Sequence, residues 1–259
     1  MLDKKILEEL YNKYNDRKYV HPDPLEFLYN YNDVKEREIA GLIAASLAYG
    51  QVKQILKSVS KVLNIMGPKP SEFLLKTSRK ELDYLFRDFK HRFTTGEELA
   101  GFLSNTGHVI RKFGSLYECF ESGYKKEKDL LGAILNFSKE IRLGDCDCYN
   151  SLMPMPAGKC AYKRVNLYLR WMVRKDNVDP GGWDGISASK LIIPLDIHMH
   201  RVSMFHNLTG RKQADFNTAL QITNELKKYA PDDPVKYDFA LTRPGINARN
   251  SPEETKISG

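Results

Sequence analysis

Apolar residues recur at helical spacing along most of the chain. In the first segment Ile6, Leu7, Leu10 and Tyr14 share one face of a helix predicted over 3–14. His21-Pro22-Asp23-Pro24 interrupts the pattern, because two prolines and an aspartate favour a turn. Asp33 stands at the N-cap position of a strongly apolar helix, EREIAGLIAASLAYG, which Gly50 ends. Its small residues, Gly41, Ala44, Ala45, Ser46 and Ala48, let neighbouring elements pack close. The run QVKQILKSVSKVLNIM predicts another helix that stops at Gly67-Pro68. Helices over 71–86, 97–113 and 128–141 follow, and then a loop over 143–156 with Gly144, two Asp, two Cys and two Pro. Beyond it the pattern predicts helices over 162–174, after Asp196, over 215–229 and over 234–241. A long loop with Pro180, Gly181, Gly182, Trp183 and Gly185 separates the first two. Leu191-Ile192-Ile193 is the one strand-like piece, too short to build a fold on, and no internal repeat is present. The residues after Ile246 are polar and read as a frayed tail. The expected fold class is all-α.

Composition narrows this further. A chain of 259 residues can bury a sizeable core without metals or disulfides. Its 42% apolar and 28% charged residues match an ordinary globular protein. No apolar run is long enough to cross a bilayer, and MLDKKILEEL mixes acids and bases instead of forming a secretory leader. The expectation is a cytoplasmic monomer with no membrane partner. Four cysteines, Cys119, Cys146, Cys148 and Cys160, fit a reducing compartment. The C-x-C spacing of Cys146 and Cys148 is not a usual zinc or iron–sulfur spacing. The net charge is +7, and its location matters more than its size. Residues 151–212 carry ten Lys/Arg against four Asp/Glu, so that one segment holds +6. A basic patch of this kind suits a polyphosphate partner, since each neutralised phosphate releases counterions. A solvated basic surface is the plainer alternative.

Two stretches carry candidate chemistry. In Met155-Pro156-Ala157-Gly158-Lys159-Cys160-Ala161-Tyr162-Lys163-Arg164 a Pro/Gly turn leads into a helix. Helix N-termini present unpaired N–H groups and a positive dipole end, which favour phosphate. Lys163 falls in the first turn, where the dipole, Lys159 and Arg164 disfavour its charged form. A lysine so placed can attack an electrophilic sugar carbon and form a Schiff base. Lys163, Asn166, Arg170 and Arg174 share a face that reads as a phosphate rail, opposite a core stripe of Val165, Leu169 and Met172. Most lysines in such positions are simple surface residues. In the second stretch, Ile193-Pro194-Leu195-Asp196-Ile197-His198-Met199-His200-Arg201-Val202, Asp196 is the expected N-cap of the next helix. A carboxylate held there can stabilise a sugar cation or activate a nucleophile. A metal site of Asp196, His198 and His200 is disfavoured, because residues two apart on a helix point to different sides.

Taken together, P-x-G followed by a lysine at a helix start, then P-L-D-x-H-x-H-R-V, resemble the helix-hairpin-helix DNA glycosylase superfamily. The stretches LRWMVR, PLDxHxHRV and DPVKYDFAL are most similar to a bacterial branch of unknown function. The long gap from Lys163 to Asp196, 33 residues (196 − 163), resembles the archaeal 8-oxoguanine glycosylases.

The resemblance implies a two-lobed helical fold with a central cleft over residues 1–246, with 247–259 as a tail. The hairpin and catalytic helix would lie at about 155–174 and the aspartate segment at about 191–208. Lys163 and Asp196 would be the catalytic pair. Gly158, Lys159, Arg164, Gln51, His198 and Arg201 would contact DNA. Trp183, Tyr162 and Tyr49 are candidate platforms for an extruded base. The segment Ser46 to Gln51 matches the part that fills the gap left by that base. The C-terminal cysteine cluster of the iron–sulfur members is missing, so no metal or other cofactor is expected. The implied activity is excision of a damaged base from double-stranded DNA, an oxidised purine first, with lyase activity at the abasic site. A non-catalytic DNA- or RNA-binding protein on the same scaffold is the alternative.

Overall fold

The computed structural model describes residues 2–142, 151–153 and 161–250, with the backbone alone for 245–250. Most of the predicted helices form, and several begin or end at residues the sequence supplies for that purpose. Helix α1 (Lys4–Tyr14) starts at Asp3, whose carboxylate accepts the Ile6 N–H at 2.8 Å. Helix α2 (Val34–Ser46) starts at Asp33, which accepts from Lys35 N–H at 2.8 Å, but it ends at Ser46, four residues before the Gly50 expected to stop it. Helix α3 (Val52–Met66) stops at Gly67, whose φ of 75° is a left-handed conformation that glycine adopts without strain.

The single helix expected over 71–86 is two, α4 (Pro70–Lys76) and α5 (Arg79–Phe86). Ser78 restarts the chain: its side chain and that of Glu81 cap each other's backbone N–H groups reciprocally. A small antiparallel hairpin follows, β1 (Lys90–His91) paired with β2 (Thr94–Thr95), with Lys90 opposite Thr95 and His91 opposite Thr94. The sequence reading contained no sheet, because two residues per strand are too few for an alternating pattern to register. Helix α6 (Gly96–Phe113) opens on a second reciprocal cap, Thr95 with Glu98. Helix α7 (Leu116–Glu127) was not anticipated; Ser115 caps it through Glu118 N–H, and its lysine-rich end hid the short apolar face of Leu116, Cys119 and Phe120. Helix α8 (Leu130–Arg142) completes this part of the chain.

Helices α9 (Lys163–Val173), α10 (Ile197–Phe205), α11 (Phe216–Lys227) and α12 (Asp238–Asn250) make up the rest. Helix α12 begins later than expected and continues through Pro244 to Asn250, so the residues after Ile246 remain helical that far. Leu191-Ile192-Ile193 is buried extended chain rather than a strand, and the Ile193 N–H donates to Thr223 Oγ1 on α11 at 3.0 Å. The protein is mostly helical, and among the described residues no helix is long and apolar enough to cross a membrane.

The chain divides into two compact units, residues 1–20 with 158–259, and residues 21–157. In the unit of 21–157, α6 packs on α4, α5, α7 and α8 around Leu99, Phe102, Leu103, Phe120 and Phe137. Gly107 makes the α4 contact possible, since a Cβ there would stand 2.8 Å from the Leu74 carbonyl oxygen. In the other unit, α1 and α10 both pack on α12, and the core holds Tyr168, Trp171, Trp183 and Tyr237.

Candidate functional site

Lys163 and Asp196 meet. Lys163 is the first residue of α9, entered through Tyr162, whose φ of 49° turns the chain sharply and whose side chain makes no cap. Asp196 caps α10 and accepts the Met199 N–H at 2.8 Å, which fixes its carboxylate at a helix start. The Lys163 Nζ lies 3.4 Å from Asp196 Oδ2, with side-chain exposures of 35% and 29%. The pair is therefore ordered by two helix ends yet open to a ligand. Chemically it joins a primary amine to a carboxylate close enough to accept the amine's proton.

Around the pair, Arg164 and His198 are half-buried and Arg201 is exposed. His200 turns aside and donates from Nε2 to the Arg211 carbonyl at 2.8 Å. Among the described residues no three His, Cys, Asp or Glu side chains converge in a way that could hold a metal ion. Gly158 and Lys159, expected to contact phosphate, lie outside the described residues, as do Cys146, Cys148 and Cys160. Cys119 is buried, and burial pushes its thiol up to about 12.

Three expectations are corrected by burial. The phosphate rail is the first: Arg170 and Arg174 are 4% exposed and face inward. Arg170 grips Asp179 with Nε and Nη2 and bonds Asp238 with Nη1. Arg174 bonds Asp179, Asp176 at 2.8 Å and Asp233 at 2.9 Å. Desolvation would lower the Arg170 guanidinium, but the charges of Asp179 and Asp238 outweigh it and hold it above its ordinary range. These arginines are structural because their charge is already neutralised by side chains. Helix α9 is thus buried on both faces, and Lys163 is the cation of that row left half-open.

Trp183 is the second correction. It is fully buried, its N–H backbone group donates to Met172 O at 2.8 Å, and its ring meets Tyr168 edge-on at 5.1 Å. A ring enclosed in this way presents no face to a base. Tyr162 is the third: it is 7% exposed and packs against Phe216 at 5.2 Å.

Tyr49 and Gln51 belong to the unit of 21–157. The Tyr49 hydroxyl donates to His91 O at 3.0 Å and sits 2.5 Å from Thr94 Oγ1, which ties the α2–α3 connection to the hairpin. His91 is buried, donates from Nε2 to Tyr49 O at 3.1 Å and bonds Ser58 Oγ at 2.9 Å. Burial holds its imidazole below the ordinary range. Gln51 is exposed and stands at the N-cap of α3 without capping it. Next to it the hairpin turn presents a residue the sequence reading passed over. Phe93 is 78% exposed at the tip, with the Arg92 guanidinium 5.3 Å from its ring centre. A side chain at Gly50 would collide with Arg92, its Cβ falling 2.7 Å from Arg92 Cδ. The available signal was an aromatic directly after three basic residues, Lys90-His91-Arg92, with no apolar periodicity to give it a core role.

A family model matches residues 23–247, which takes in both members of the Lys163–Asp196 pair and the hairpin. The chain belongs to the family described as protein of unknown function (DUF2400). No curated protein matches this DUF2400 member, and no solved structure does.

Proposed function

We propose that this DUF2400 protein is a base-excision DNA glycosylase with associated lyase activity, with Lys163 as nucleophile and Asp196 as its partner. One observation carries the reading: a half-exposed amine stands 3.4 Å from a helix-capping carboxylate within the basic segment of the chain. The two-lobed glycosylase fold with its cleft, and an oxidised purine as substrate, belong to the same proposal.

Chemistry at the sugar requires the target nucleotide to leave the stack. Asp196 takes a proton from the Lys163 ammonium, and the freed amine attacks C1′. The bond from C1′ to the base breaks with its electron pair on the base, which is then protonated. The base takes the proton that Asp196 holds, and the carboxylate so restored stabilises the positive charge left on the sugar–amine adduct. Opening of the ring breaks C1′–O4′, with a proton to O4′, and leaves an imine on Lys163. Loss of a C2′ proton then expels the 3′ phosphate and cuts the strand. Gln51 and Phe93 are assigned a separate contact with the duplex, Phe93 by stacking on bases and Arg92 by its charge.

The burial of Trp183 and Tyr162 favours a second reading, a non-catalytic DNA- or RNA-binding protein, since neither ring offers a base its face. Incubation with lesion-bearing duplexes and borohydride separates the two. The enzyme gives a covalent adduct that Lys163→Gln abolishes while duplex binding persists, and Asp196→Asn slows base release at least about tenfold. No adduct across a panel of lesions, with binding that weakens steeply with salt, would establish the binder.

A further inference from the structure

Among the described residues ten large apolar side chains are exposed, and three of them fall within the nine residues of α10, so exposure there is concentrated rather than scattered. Ile197 is 66%, Met204 40% and Phe205 82% exposed, and Arg201 between them is exposed as well. Offsets of four, seven and eight residues from Ile197 put these side chains on one face of the helix. The opposite face turns to the core: Met199 and Ser203 are fully buried, and α10 packs on α12. Asn207, with a φ of 58°, turns the chain directly after the His206 C-cap. Phe205 is thereby left at the helix end, its ring edge-on to that of His206 at 5.0 Å.

The charge on this stretch has one sign. From Ile197 to Ala214 the chain carries Arg201, Arg211 and Lys212 and no Asp or Glu. The bond from His200 to the Arg211 carbonyl holds the Arg211-Lys212 turn beside α10. Arg211 is paired with Asp215 at 2.8 Å, whereas Arg201 and Lys212 form no ion pair with any described residue. The apolar strip begins next to Asp196, the residue before Ile197, whose carboxylate meets the Lys163 amine at 3.4 Å.

Resting on the reading of Lys163 and Asp196 as a nucleic-acid site, we propose that the outer face of α10 is a track for unpaired nucleotides flanking the reacting one. Bases lie on Ile197, Met204 and Phe205, and Arg201 meets the backbone. Three properties of the face select this occupant. A duplex hides its base faces in the stack and has no use for three exposed apolar side chains, whereas an unpaired strand offers base faces and phosphates together. Ile197 to Phe205 spans about 12 Å, room for about three to four nucleotides at ~3.4 Å each. A second copy of the chain is disfavoured, because a two-fold contact through this face brings the Arg201 and Lys212 charges of both copies together with no carboxylate on the stretch to offset them.

Fluorescence anisotropy on the full chain tests the track, with a short labelled oligothymidylate compared against a base-free deoxyribose-phosphate oligomer of equal length. Phe205→Ala removes an exposed ring and should weaken oligothymidylate binding at least about fivefold while leaving the base-free oligomer unchanged. Phe205→Trp should restore the loss. Arg201→Gln should weaken both oligomers and make the slope of log affinity against log salt shallower by about 0.7. No loss from Phe205→Ala, or an equal loss for both oligomers, overturns the track. So does a wild-type dimer in sedimentation that Phe205→Ala dissolves, which gives the face to a second copy. Capture by anionic lipid vesicles that Phe205→Ala abolishes gives it to a membrane and overturns the track equally. None of these measurements needs a chemical step. If the base-dependent loss appears and wild type gives no borohydride adduct, the lyase chemistry fails and the track stands. If wild type gives the adduct and Phe205→Ala binds oligothymidylate as tightly, the repair assignment stands and the track fails.

Discussion

Glu38 in the unit of 21–157 and Asp179 in the other are both carboxylates sealed in the interior, and they are satisfied by different kinds of group. Glu38 accepts two backbone N–H groups at the start of α7, from Leu116 at 2.7 Å and Tyr117 at 3.0 Å. It does the work of a helix cap from a distant helix, and these two backbone partners carry no formal charge. Asp179 meets two guanidinium groups, Arg170 and Arg174, which are also gripped by Asp238, Asp176 and Asp233. One interior charge organises backbone and the other organises charge. Only the second arrangement extends along a helix face to a half-open cation, Lys163. The contrast teaches that a row of basic residues on a helix says nothing of phosphate until their partners are known.

Removing the carboxylate tests this contrast most severely in the arginine network. Asp179→Ala strips two buried guanidinium groups of a shared partner and should cost about 3–5 kcal/mol in denaturant unfolding. A loss under about 1 kcal/mol would mean the network relaxes onto Asp176, Asp233 and Asp238 without it. Glu38→Ala should cost less, about 2–3 kcal/mol, because it orphans backbone donors rather than charges. Glu38→Gln sharpens the point: its single carbonyl can still accept one N–H, so it should recover part of the loss, whereas Asp179→Asn should recover little.

His91 and Asp238, one in each unit, should also respond to acid in opposite directions. His91 has a folded value below its ordinary 6.5, so its contribution is fully present above that pH and is lost as pH falls through the folded value. Asp238 is raised to about 6, so its contribution is full below the ordinary carboxylate range and lost as pH rises through about 6. Melting temperatures measured between pH 7 and pH 5 should fall less for His91→Gln than for wild type, and fall more for Asp238→Asn. Identical slopes in all three proteins would remove the contrast. The smallest effect on stability belongs to Phe93→Ala, within about 0.5 kcal/mol, because the ring buries little. The same change should weaken duplex binding roughly fivefold, as expected for loss of about 1 kcal/mol of base stacking. Unchanged binding would leave the exposed ring without the role assigned to it.

Much of the architecture was legible along the chain because it is local. Asp3, Asp33, Asp196 and Asp215 stand directly before helices and cap them through N–H groups two or three residues on. Helix α7 and the hairpin escaped for a related reason: the first has a narrow apolar face, and the second has strands too short to show a period. The candidate site was readable in part. The residue types at 163 and 196 suggested an amine and a carboxylate at two helix starts, and both stand there. The roles given to Arg170, Arg174, Trp183 and Tyr162 were misread, since their burial depends on residues such as Asp179, Asp233, Met172 and Phe216, contributed from elsewhere in the unit.

The sequence by itself determined a mostly helical chain, the start of most of its helices, and the concentration of basic charge in one segment, because caps, breakers and periodicity act over a few residues. Tertiary structure decided which of those cations stay available. Arg170 and Arg174 are neutralised by aspartates brought in from the loop after α9, the approach to α12 and α12 itself, and Lys163 is left with Asp196 at an open edge. A charge is used up or exposed according to what packs against it, and that is a property of the assembled core rather than of any stretch of chain.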